Sequence, residues 1–190
     1  TARRQRQMCI RDSFSTLRAE IEAAGIELES ETDSEVAAHL LALAYNEGET
    51  AGDFQASALQ VLSRLEGAFT VLFVHADHPG TIIAGRRSTP LIVGVGEGET
   101  FLGSDVAAFI DRTKNAVELG QDNAVVITAD SYDIYDFDGN PVEGKPFTID
   151  WDLDAAQKDG FDSFMMKEIH EQPAAVRDTL AVSYTHLTLP

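Results

Sequence analysis

Seven short, mostly apolar runs follow one another between Ala68 and Phe137, and their spacing limits the fold more than any other feature of the chain. The runs are Ala68–His75, Thr81–Ala84, Leu91–Val95, Phe101–Gly103, Ala116–Leu119, Ala124–Thr128 and Tyr132–Phe137, separated by Gly, Pro, Asn or Asp turn signals. A parallel crossover needs roughly a dozen residues or more, so strands this close together are expected to pair antiparallel. The first run, AFTVLFVH, is almost continuously apolar and reads as a strand buried on both faces. Ser104 is placed to cap a short helix over Asp105–Asp111 within the series.

Three helical patterns come before the first strand. Phe14–Ala24 sets Leu17, Ile21 and Ala24 on one face, with Gly25 as its stop. An extended piece, Ile26–Glu29, leads to SETDSEVAAHLLALAYN, where Thr32 and Glu35 have the spacing of a capping box and Val36, Leu40, Leu43 and Ala44 form the apolar stripe. Asp53–Glu66 repeats the period with Phe54, Ala58, Val61, Leu62 and Leu65. Helices gathered first and strands afterwards predict an α+β fold whose sheet is covered by helices on at least one face. Beyond the Asp138-Gly139 turn, Glu143–Gly160 reads as a linker packing at one point, Trp151. A last helix runs from about Ser163 toward Ala181 and is expected to break or kink near Gln172, because Pro173 lacks the amide that would continue it.

Charge narrows the range of partners. The chain carries 14 Lys and Arg against 32 Asp and Glu, a formal charge of -18, so the phosphates of a nucleic acid are repelled. No apolar run is long enough to span a membrane, which together with the absence of a signal-peptide pattern predicts a cytoplasmic protein. The single cysteine, Cys9, cannot form an internal disulfide or supply a thiolate-rich metal site. The basic segment 1–13 and the uncharged tail 182–190 lack the periodicity of the rest and read as foreign to the gene, leaving 14–142 as a domain and 143–181 as a linker with a lead-in helix.

Several patterns resemble sites but lack a necessary part. Gly94–Gly98 is glycine-rich, but Glu99 and a strand follow it where an anion-binding helix start would be needed, so it reads as a strand connection. His75 and His78 have ligand spacing without a third ligand, and a Pro-Gly turn follows. Asp136, Asp138 and Asn140 begin like a calcium loop, but Pro141 and Phe147 stand where a glycine and a glutamate are required, which leaves a hairpin turn. His39 and His170 read as structural histidines within helices. No metal site and no cofactor are expected.

Three strings carry a family resemblance: SETDSEVAAH (Ser30–His39), STPLIVGVGEGETFLGSD (Ser88–Asp105) and FMMKEIHEQP (Phe164–Pro173). Together they resemble the glutaminase half of the glucosamine-6-phosphate synthase family, the isomerising glutamine:fructose-6-phosphate aminotransferases. The first string is shared in outline with other amidotransferases that use an N-terminal nucleophile. KEIHEQP resembles the passage into this family's sugar isomerase domain, where Lys167, Glu168, His170 and Glu171 would face that domain. The resemblance implies part of a four-layer α/β/β/α sandwich, mostly antiparallel, and a homo-oligomeric enzyme that hydrolyses glutamine and passes ammonia to fructose 6-phosphate.

By the same resemblance, Asp33 is the aspartate that holds the α-ammonium of glutamine, supported by Thr32 and Glu35 as the helix cap. The position suits a carboxylate, since a helix start offers free backbone donors and a favourable dipole. Cys9 does not match the family's nucleophile, because no glycine follows it and Ile10-Arg11-Asp12 leads straight into a helix. The chain alone is therefore expected to be inactive and to expose unpaired strand edges. Two rivals stay open: an amidotransferase forming phosphoribosylamine, and a non-catalytic module that binds glutamine or a partner.

Overall fold

The computed structural model describes residues 11–30, 32–150, 161 and 163–186. The chain divides into two compact units, Thr1–Ile149 and Asp150–Pro190. The first unit is α+β. Its three helices, α1 (Arg11–Ala23), α2 (Asp33–Glu47) and α3 (Phe54–Arg64), precede eight strands: β1 (Phe69–Val74), β2 (Ile82–Arg87), β3 (Ile92–Val95), β4 (Thr100–Gly103), β5 (Asn115–Glu118), β6 (Asn123–Ile127), β7 (Tyr132–Asp136) and β8 (Lys145–Thr148). The strands form two four-stranded sheets, ordered β1-β2-β6-β7 and β4-β3-β5-β8, and every pair is antiparallel.

Strand alternation sorts the apolar side chains into layers. Phe69, Phe73, Ile83 and Ala124 leave one face of the first sheet to meet Leu17 and Ile21 of α1, Val36, Leu40 and Ala44 of α2, and Ala58, Val61 and Leu62 of α3. Ala84, Val125, Ile127 and Ile134 leave the opposite face and pack with Val93, Val117 and Leu119 of the second. On the far side of the second sheet, Ala116 joins Phe109, Ile110 and Ile149. This gives a helix layer, two sheets and an irregular outer cover, as expected of a partial α/β/β/α sandwich.

The sequence-based expectations fail in several places. The run Ala68–His75 is not buried on both faces: β1 is a sheet edge, and Leu72 and Val74 are 50% and 71% exposed although they point toward the second sheet. Asp105–Asp111 forms only a 3-10 turn over Val106–Ala108, capped by the Asp105 carboxylate, which accepts from Ala107 N at 2.7 Å, and not by Ser104. The stretch read as a linker contains β8, which pairs with β5; Pro146 is tolerated there because β8 is an edge that need not donate outward. Ala24 is exposed, although Gly25 ends its helix with φ 80° as expected. Trp151, Cys9 and the rest of 1–10 lie outside the described residues.

In the second unit, α4 (Phe164–His186) runs through Pro173, so of the break or kink expected near Gln172 the break does not occur. Proline removes one backbone bond, but the nine residues before it and the thirteen after it each complete at least two turns.

Close packing makes one glycine specific. A Cβ on Gly94 would lie 2.6 Å and 2.8 Å from ring atoms of Phe109, which is buried and stacked on Phe101 with ring centroids 6.1 Å apart. A Cβ on Gly80 would meet nothing within 4 Å. Gly94→Ala is expected to cost about 1–3 kcal/mol through overpacking, and Gly80→Ala to cost far less. Urea midpoints measure both, and equal midpoints would contradict this packing.

Candidate functional site

Asp33 is the first residue of α2, following Thr32, whose backbone is extended (φ -82°, ψ 140°) as an N-cap requires. The expected capping box does not form. The Thr32 side chain makes no bond to the helix amides; its hydroxyl meets that of Ser30 at 2.7 Å, while Thr32 N donates to Ser30 Oγ at 3.2 Å. Glu35 reaches further back than a capping glutamate does. Its carboxylate accepts from Glu29 N at 2.7 Å and Ser30 N at 2.8 Å, and the Ser30 hydroxyl donates to it as well. A capping box needs the Thr32 hydroxyl turned toward the helix, and Ser30 holds that hydroxyl instead.

The result is a clasp of Glu29, Ser30 and Thr32 ahead of Asp33, closed by one carboxylate. Three donors converge on Glu35, led by the Ser30 hydroxyl and then the Glu29 amide, and they outweigh its desolvation and lower its pKa from 4.5 to about 2. His39, one turn on, brings Nε2 to 3.6 Å from the same carboxylate. Sequence reading found Thr32 and Glu35 but missed Ser30, because a Ser five residues ahead of a Glu is no standard helix-start pattern.

The Asp33 carboxylate has no such partners. Asp33 is exposed, and among the described residues no side chain bonds to it. It borders a cleft of about 140 Å³ with Ser34 and Ala37 of α2, Leu65 after α3, and Phe69, Thr70 and Val71 of β1. One wall of this cleft is helix start, and the other is the first half of the unpaired β1 edge. An unpaired carboxylate on an apolar rim, at a helix start, can bind a small cation such as an ammonium group.

Larger clefts offer less chemistry. One of about 380 Å³, between β5, β7 and β8, has only Asp133 and Glu143 as charged groups. Another, of about 620 Å³, includes Glu99 and Arg112, which pair with each other at 2.7 Å. His75 and His78 do come together, with ring centroids 5.8 Å apart, but in an aromatic cluster: Tyr45 lies 4.2 Å from His75, Phe54 stacks on His78 at 5.3 Å, and the Tyr45 hydroxyl meets His78 Nε2 at 3.1 Å. No group of three His, Cys, Asp or Glu that could hold a metal occurs among the described residues. Asp136 closes its turn by accepting from the Asn140 side chain at 2.9 Å, Asn140 N at 2.8 Å and Asp138 N at 3.0 Å, and these bonds, the Asn140 side chain first, lower its pKa. This is the hairpin turn read from the sequence. In the second unit His170 stacks on Phe161 at 5.1 Å.

No protein-family model matches the chain. Curated proteins do. The chain is 62% identical over 174 residues to a protein of Mycolicibacterium smegmatis named glutamine–fructose-6-phosphate aminotransferase (isomerizing), a match covering 89% of this chain and 28% of the relative. The protein of that name from Mycobacterium leprae is 62% identical over 176 residues, 92% of this chain and 28% of its own length. That from Corynebacterium glutamicum is 57% identical over 169 residues, 89% and 27% respectively. The chain therefore corresponds to a segment of these enzymes, spanning a little over a quarter of their length.

The Glu35 clasp has a pH signature. A carboxylate whose folded pKa is depressed contributes stability that is complete above its unfolded value of about 4.5 and is lost as pH falls toward about 2. Urea midpoints of the native chain and Glu35→Gln are expected to differ most above pH 5 and to converge between about 4.5 and 2. A constant difference across that range would show that the clasp does not depend on the charge.

Proposed function

We propose that the chain is part of an isomerising glutamine–fructose-6-phosphate aminotransferase, and that within it Asp33 holds the α-ammonium of glutamine. The whole enzyme takes ammonia from glutamine and passes it to fructose 6-phosphate, forming glucosamine 6-phosphate and glutamate. Identity of 62% over 89% of the chain to a relative of this name carries the assignment of reaction. It also favours this acceptor over the purine-precursor alternative.

The assignment to Asp33 is supported by local chemistry. The carboxylate stands on the rim of a cleft, free of partners among the described residues, on a helix start fixed by Glu35. An ammonium binds such a group through charge-assisted hydrogen bonds, and the order already present in the loop means that little freedom is lost on binding. Ser34 and Thr70 add hydroxyl-bearing residues to the same lining. Glu35 acts through position: it keeps Asp33 at the rim and does not itself border the cleft.

In the same reading, residues 14–142 belong to the glutamine-hydrolysing domain and 143–181 lead into a sugar isomerase domain. The protein is cytoplasmic and oligomeric and needs no cofactor. Among the described residues no helix is long and apolar enough to cross a membrane. No thiol occurs among the described residues, since Cys9 is the only cysteine. By the family resemblance Cys9, followed by Ile10 and not by glycine, does not match the nucleophile, so we assign the nucleophile for amide attack to another part of the longer protein.

A chimera tests this. When the 174 matched residues of the M. smegmatis relative are replaced by those of this chain, the hybrid is expected to form amino-sugar phosphate from glutamine. Asp33→Ala in that hybrid should raise the KM for glutamine about tenfold to a hundredfold, as loss of a charge-assisted bond of roughly 1.5–3 kcal/mol would. An unchanged KM would refute the role of Asp33, whereas an inactive hybrid carrying native Asp33 would refute the assignment of the reaction.

A further inference from the structure

One side chain outside the Asp33 cleft holds two of the residues that line it. The register of the first sheet sets Phe69 of β1 directly opposite Arg87, the last residue of β2. One step beyond the paired ends, Asp122 before β6 and Phe137 after β7 continue the same row across the sheet. Phe69 and Phe137 pack with the helix layer, and directly opposed residues share a face, so Arg87 lies on that side as well.

The Arg87 guanidinium bonds at its edge and stacks at its face. Its Nε meets Asp122 Oδ1 at 2.7 Å, and Nη1 donates to the backbone oxygen of Leu65. Its central carbon lies 5.5 Å from the ring centroid of Phe69 and 5.3 Å from that of Phe137. Leu65 ends α3, where the last carbonyls have no partner within the helix. A planar fork suits this task, whereas lysine offers only a compact point charge.

The surroundings restrict this group to one position. Among the described residues, Ser88 and Asp122 are the only non-glycine residues with a positive φ, at 61° and 55°, and they flank the ion pair. Gln121 joins them, accepting from Ser88 N at 3.1 Å and donating to Asp122 Oδ1 at 3.3 Å. Sparsely populated backbone conformations persist where the structure around them fixes them. Thr89 adds another tie to the same wall by donating to Phe69 O at 2.5 Å.

We propose that Arg87 is a positioning residue of the glutamine site, holding Leu65 and Phe69 as the apolar wall on which the carbon chain of glutamine rests. The proposal rests on the assignment of the Asp33 cleft to glutamine. Arg87 does not border the cleft and takes no part in the Glu35 clasp, so it governs the wall while Glu35 governs the rim. Loss of Arg87 therefore weakens every ligand with the same carbon chain and leaves recognition of the amino group intact.

The test uses the M. smegmatis hybrid with glutamine and its des-amino analogue. Arg87→Met is expected to raise the KM for glutamine about tenfold, short of the roughly hundredfold that misplaced groups can cost. kcat should stay unchanged, and the analogue should weaken by the same factor. Calorimetry reads both affinities, so an inactive hybrid still reports. Asp122→Asn removes the charge that orients the guanidinium, and asparagine accepts the left-handed backbone. It is expected to act in the same direction and carries the test if Arg87→Met does not fold. Arg86→Met is the control: Arg86 alternates to the other face and donates to Leu119 O at 2.7 Å, so its loss should leave KM unchanged.

A lower kcat or folded yield with unchanged affinity would show a purely structural role and overturn the proposal, as would loss of the preference for glutamine in Arg87→Met. If Arg87→Met weakens both ligands while Asp33→Ala changes neither, the role of Arg87 stands and that of Asp33 fails. If Asp33→Ala weakens glutamine while Arg87→Met and Asp122→Asn change nothing, Arg87 alone is refuted.

Discussion

Three donors meeting on the Glu35 carboxylate fix the most consequential loop in the structure. Without that clasp, the described residues between α1 and α2 have no strand partner and few backbone bonds among the described residues to hold them. With it, the Glu29 and Ser30 amides and the Ser30 hydroxyl all converge on the first turn of α2, and Asp33 follows in a single position. The carboxylate that is bound is thus distinct from the carboxylate that is left free. Glu35 is satisfied by the protein and gives up its proton readily, whereas Asp33 keeps its bonding capacity for something else.

The layers behind that loop were legible because each depends on a simple period. Leu17 and Ile21, Val36 and Leu40, and Val61 and Leu62 are buried where helical spacing places them, and Gly25 turns where a left-handed residue is needed. Antiparallel pairing followed from spacing alone. What the pattern could not show was neighbourhood. AFTVLFV reads as a buried strand because composition cannot distinguish a strand with two neighbours from one with a single neighbour, and β8 was missed because Pro146 and Lys145 suit an edge as well as a loop. The capping box failed for a related reason: Thr32 and Glu35 have the right spacing, but Ser30 and the Glu29 amide compete for the same oxygens.

The candidate site and the free edge share residues. Phe69, Thr70 and Val71 belong both to β1 and to the wall of the Asp33 cleft, so any strand laid along β1 adds to that wall. The cleft in this segment is small, about 140 Å³. It holds one carboxylate and two hydroxyl-bearing residues but no group suited to the carboxylate end of an amino acid. A chain spanning 28% of its relatives' length would hold part of such a site and rely on the remainder of the protein for the rest.

The claim that Asp33 grips an amino group is tested most directly by removing the amino group instead of the carboxylate. In the M. smegmatis hybrid, glutamine and its des-amino analogue, 4-carbamoylbutyrate, are compared as ligands of enzymes carrying Asp33 or Asp33→Ala. The account expects the native hybrid to prefer glutamine by about tenfold or more and Asp33→Ala to bind the two alike, since one charge-assisted contact is worth roughly 1.5–3 kcal/mol. A preference for glutamine that survives Asp33→Ala undiminished would contradict it.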